Sequence, residues 1–111
     1  MAYDEQLAER LRLLVADEDG VSEQRMFGGL AFLIHGNMAI AASGQGGLLV
    51  RVDPEQSDEL VRTTAAEPME MRGRQMAGWL RVEAADVTSA DELATWARRG
   101  VAYAGALPPK R

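Results

Sequence analysis

The sequence predicts an α+β domain of two layers: an antiparallel sheet of about five to six strands with three helices, in the order α-β(3)-α-β(2)-α. Three observations predict it. Segments near both ends of the chain carry apolar residues at helical spacing. The middle carries short apolar runs, several with period-two alternation, joined by glycine-containing turns. Strands that follow one another through such turns form a meander, not the alternation of strand and helix that builds a parallel sheet.

The first helix is expected over 3–16. Tyr3, Leu7, Leu11 and Leu14 stack on one face, and Glu5, Glu9, Arg10 and Arg12 suit the solvated side. Asp17-Glu18-Asp19-Gly20 should end it, with Gly20 in a left-handed conformation. A short strand is expected near 23–27, then strands over 29–35, 38–42 and 48–52. Gly36-Asn37 supplies a tight hairpin turn, and residues 43–47 a looser one. In the last of these strands Leu48, Val50 and Val52 share one face, and Leu49 and Arg51 the other. Asp53 caps a second helix with Pro54 at its first position, ending near Ala65. Strands over 69–71 and 77–82 flank the turn Arg72-Gly73-Arg74; Leu80 and Val82 oppose Trp79 and Arg81. The third helix runs over about 90–106. Ser89 and Glu92 form an S-x-x-E capping box, and Leu93, Trp96, Ala97, Gly100, Val101 and Ala104 follow helical spacing. Residues 1–107 form one domain and 108–111 a short tail.

Composition excludes several chemistries. With 47% hydrophobic and 26% charged residues the chain is an ordinary globular domain. It has no cysteine, so disulfides, thiolate catalysis and Cys-ligated metal are excluded. Net charge is -5, which disfavours direct, strong nucleic-acid binding. No apolar run reaches the roughly 18–20 residues of a membrane span, and Tyr3-Asp4-Glu5 is not a signal-peptide start. A cytoplasmic location without membrane contact is expected.

Catalytic and cofactor templates fail one by one. His35 is the sole histidine and sits at a hairpin end, with no H-E-x-x-H. No serine lies in G-x-S-x-G. The glycines of 44–47 would need another at position 49 for a dinucleotide loop; Leu49 stands there, and the segment leads into a strand. A calcium loop through Gly20 would place Val15 and Met26 at ligand positions. No catalytic residue, metal site or cofactor is expected.

Two features remain. Arg25-Met26-Phe27-Gly28-Gly29 implies a bulge, a bend or close backbone approach, with Met26 and Phe27 in the core as the favoured reading. The second is Arg25, Arg51, Arg72, Arg74 and Arg81, with Trp79 sharing a face with Arg81. Convergent arginines would bind an anionic ligand or acidic partner; dispersed, they are solvated surface charge, which is favoured.

Met26-Phe27-Gly28-Gly29, the run Leu30 to Ile34, Gly36-Asn37-Met38, Leu48 to Asp53, Trp79 to Val82, Asp91-Glu92-Leu93 and Trp96-Ala97-Arg98-Arg99 together resemble the N-terminal domain of the TfoX/Sxy competence-regulator family. The resemblance covers nearly the whole chain. It implies a compact α+β domain without enzymatic activity or cofactor, and it assigns no site residues. The family's DNA-uptake regulators are longer, with a C-terminal helical domain, so a competence role is not carried over. The expected function is therefore a non-catalytic regulatory or protein-interaction module, acting on a protein partner or as a homodimer. The alternatives are a small anionic ligand bound on an arginine-lined sheet face, and a nucleic-acid-associated regulator.

Overall fold

A computed structural model describes residues 3–26 and 28–110. Helix α1 (Glu5–Val15) starts where the Asp4 carboxylate accepts hydrogen bonds from the N–H groups of Gln6 and Leu7. Its buried stripe is Leu7, Ala8, Leu11 and Val15. Leu14, expected on that stripe, is instead 42% exposed. Val15 takes the inward position because it follows Leu11 by four residues, whereas Leu14 lies on the flank.

Six strands follow in chain order: β1 (Val21–Met26), β2 (Gly29–Ile34), β3 (Asn37–Ala42), β4 (Leu48–Arg51), β5 (Glu67–Met71) and β6 (Arg74–Val82). They form one sheet in the order β1-β2-β3-β4-β6-β5, antiparallel at every pairing. Four strands precede the second helix, so β1 is a full member of the meander. The β2–β3 turn is His35-Gly36, one residue earlier than expected. His35 takes the positive φ, and Asn37 opens β3. Tertiary contacts fix this choice: the His35 N–H donates to the Gly20 carbonyl (2.9 Å), and its own carbonyl accepts from the Lys110 N–H (2.7 Å).

The helix expected from Asp53 onward splits into a 3-10 turn, Pro54–Gln56, and α2 (Ser57–Thr63). The Asp53 carboxylate accepts from the Glu55 N–H at 2.9 Å. β5 starts earlier than the expected 69–71 and takes in Pro68; it is an edge strand, where a missing N–H is tolerated. Helix α3 (Ala90–Ala106) matches its expected span, with the Ser89 hydroxyl accepting from the Glu92 N–H.

All three helices contribute to one core. Trp96, Phe32, Leu11, Ile40, Leu48 and Leu80 are its largest fully buried side chains, with Leu60 and Val61 of α2 packed at its margin. α3 crosses β3 and β4. A bulge in β3 marks that crossing: Phe32 pairs with Ile40 and Leu33 with Met38, leaving Ala39 unpaired between them. Ala39 and Ile40 both belong to the helix-side core, while Met38 and Ala41 face the opposite way.

Arg12 ties α1 to β1 through a two-pronged bond to Glu23 (2.5 and 2.9 Å). The hydrogen bonds from Arg12, more than its charge alone, hold the Glu23 carboxyl below the ordinary carboxylate range. That depression contributes stability above the unfolded-state pKa, which is lost as pH falls through the lower folded-state value. Glu23→Gln should therefore lower the melting temperature only slightly at neutral pH, by about 3 °C or less. The difference from wild type should vanish once acid has protonated Glu23. Thermal melts of both proteins across an acid titration check this; a gap that widens with acidification would refute it.

Candidate functional site

Strand alternation gives this sheet a second face that no helix covers. Register places Gln24, Ala31, Ala41, Leu49 and Arg81 in one row across five strands of that face. Ala31 and Ala41 form its floor and are buried beneath Met26, Met38 and Leu49. Met26, Met38 and Leu49, packed over these small residues, line a groove on this face together with Leu33.

Curvature deepens it. A flat sheet would hold the edges β1 and β5 about 24 Å apart at the usual strand spacing. Instead, Ser22 and Gln24 of β1 line the same 640 Å³ groove as Met69 and Met71 of β5. The bend lies in β6, where Gly78 has φ +84°. Between Gln75 and Leu80, β6 carries more residues than the β5 segment it faces, Glu70 to Pro68. From Trp79 onward β6 is paired with β4; its earlier half joins β5 in a projecting hairpin.

Five of the six methionines line this groove: Met26, Met38, Met69, Met71 and Met76. Trp79, Leu33 and Leu49 add apolar surface. Met71 and Met76 are 40% and 37% exposed, unusual for large apolar side chains. Among the described residues, the only charged ones lining it are Arg51 and Lys110. The Arg51 guanidinium lies 5.1 Å from the centroid of Trp79 and 5.6 Å from that of Tyr103, a cation–π arrangement that orients it. Among the described residues no carboxylate lies within ion-pair distance of Arg51. Lys110 is placed by its own backbone bond to His35 and by the Asn37 side-chain amide, which donates to the Pro108 carbonyl at 2.9 Å.

The structure brings Met26, Arg51 and Trp79 together and scatters the other candidates. Arg25 stands opposite Leu30 on the helix-covered face. Arg72 and Arg74 flank the exposed tip of the β5–β6 hairpin. Arg81 shares the open face but donates to the Ser43 hydroxyl (3.0 Å) and the Gly46 carbonyl (3.1 Å), bracing the 43–47 loop. Gly28 is an exposed turn residue with positive φ. Gly29 is a packing device, because a Cβ there would overlap the Ala42 carbonyl oxygen. Phe27 lies outside the described residues. Met38, Met69, Met71 and Met76 were not singled out by sequence reasoning. Their available signal was parity: Met69 and Met71 are two apart on one strand, so they share a face.

Among the described residues no group of three or more His, Asp or Glu could hold a metal ion. Among them, too, no helix is long and apolar enough to cross a membrane. The chain matches the family model of the TfoX N-terminal domain over residues 13–104. A search of curated proteins finds no significant match.

Proposed function

We propose that this chain, which belongs to the TfoX N-terminal domain family of regulatory-type domains, is a non-catalytic docking module that binds a protein partner through its open sheet face. The observation that supports this reading is the gathering of five methionines and Trp79 on one uncovered, concave surface. Methionine side chains are unbranched and polarizable, and they adapt to differently shaped apolar partners. A sheet face meant only for solvent would be lined mainly by polar residues; this one carries five methionines with Leu33, Leu49 and Trp79.

Comparison of partner capture from cells of the source organism tests it. The bait proteins are the wild type, Met71→Glu with Met76→Glu on the groove rim, and Leu13→Glu on α1, where Leu13 is 73% exposed. The expected result is one protein retained by wild type and by the Leu13 variant but lost from the methionine double variant, with all three melting alike. Equal retention by all three baits would overturn the reading, as would a strictly monomeric wild type that retains nothing.

A further inference from the structure

We propose that the groove's occupant is an amphipathic α-helix of the partner that carries carboxylates along the border of its apolar face, one of which pairs with Arg51; this rests on the docking function proposed above. The lining selects a helix. An extended segment laid along the methionines would set most of its backbone N–H and C=O groups against thioethers and alkyl groups, and the few polar lining residues, such as Ser22 and Gln24 on β1, could satisfy only some of them. A helix satisfies its own backbone and presents only side chains. The sheet's other face already receives α3 in this way, over β3 and β4.

The charge pattern selects the carboxylate. The chain has 17 acidic residues and net charge -5, yet no Asp or Glu among the described residues lines the groove. Its two charged lining residues are both cationic. Arg51 is held by two aromatic rings and is not paired with an acid among the described residues. A guanidinium so oriented offers two parallel N–H donors to an incoming carboxylate, a geometry that an ammonium cannot match. The acidity of the rest of the molecule opposes an acidic partner only at long range. At physiological salt that repulsion is screened beyond about 8 Å, while a charge-assisted pair at half-buried Arg51 is screened less, so the local contact decides.

Trp79 provides the readout, since Trp96 is sealed in the core and Trp79 lines the groove. The probes are three synthetic helical peptides with an identical Leu/Ala face, bearing Glu, Gln or Lys at every position that borders it. The Glu peptide should shift Trp79 emission and bind at least about tenfold more tightly than the Gln peptide, with the Lys peptide weakest. Arg51→Gln, checked by its melting curve to be folded, should bring the Glu and Gln affinities together. Equal affinity of the three peptides for wild type would overturn the carboxylate inference and leave the docking reading standing. A Glu preference that survives in Arg51→Gln would overturn the role of Arg51. If no peptide alters Trp79 emission up to millimolar concentration, both readings fall.

Discussion

Gly100→Ala is expected to lower the melting temperature by about 10 °C, against the intrinsic preference of the helix it sits in. Glycine inside a helix costs roughly 1 kcal/mol relative to alanine, so the substitution would stabilise an isolated α3. Tertiary structure reverses the sign. A Cβ at position 100 would overlap the Ala39 carbonyl oxygen and stand 3.0 Å from its carbonyl carbon. Ala39 is the unpaired bulge residue of β3, but its chain neighbours Met38 and Ile40 are both paired, so its backbone cannot step aside as a flexible side chain would. α3 would have to lift from β3 and β4, loosening the core to which Trp96, Ile40 and Val50 belong. Overpacking of this kind costs about 1–3 kcal/mol, sometimes more, which exceeds the helical gain. At several degrees per kcal/mol for a domain of this size, the loss is large and grows further in Gly100→Val. Gly105 supplies the internal control. It lies on the same helix, is exposed, and its added Cβ would meet only Ile34 Cγ2 at 3.9 Å, an ordinary contact. Gly105→Ala should raise the melting temperature slightly. If Gly100→Ala melts higher than wild type in calorimetry, the close approach of α3 to the bulge is wrong.

The same contrast shows what could be read from the chain and what could not. Local rules carried the helices and the meander. Helical spacing located Leu93, Trp96, Ala97, Gly100 and Ala104, all of which are buried. Strand alternation separated Val50 and Val52 from Leu49 and Arg51, and Leu80 and Val82 from Trp79 and Arg81. These assignments need only neighbours in sequence. The turn differs where distant segments decide: His35 turns the chain because Gly20 and Lys110 hold its backbone. The groove was invisible for the same reason. Its walls come from opposite edges of the sheet, and its floor depends on the Ala39 bulge, which exchanges the faces of the residues on either side. Met26, expected in the core, packs on Ala31, Leu33 and Ala41, but on the open side of the sheet. Of the five candidate arginines, only Arg51 lines the groove, beside Trp79 and Tyr103.

Gly78→Val should damage both the fold and the groove, and the second effect is the more informative. Gly78 has φ +84°, a region that costs a side-chain-bearing residue about 1–2 kcal/mol and a β-branched one more. Its surroundings add to that: a Cβ would lie 3.0 Å from the Val52 carbonyl oxygen and 3.1 Å from Pro54 Cγ. The Gly78 carbonyl also accepts the Val52 N–H at 2.8 Å, so relaxing the strain disturbs the junction with β4. A total cost of about 2–3 kcal/mol follows, a substantial part of the stability of a small domain. Asparagine adopts positive φ more readily, so Gly78→Asn should cost less than Gly78→Val. What separates this site from Gly100 is where the strain is released. Straightening β6 carries the β5–β6 hairpin, with Met69, Met71 and Met76, away from β1 and opens the concavity. At 10 °C, where the valine variant should remain folded by circular dichroism, it should bind the Glu-bordered peptide at least about tenfold more weakly than wild type. Gly100→Ala, compared at the same temperature, should keep the groove and its affinity, because α3 lies on the far side of the sheet. Equal peptide affinity in Gly78→Val and wild type would mean that the bend in β6 does not shape the binding surface.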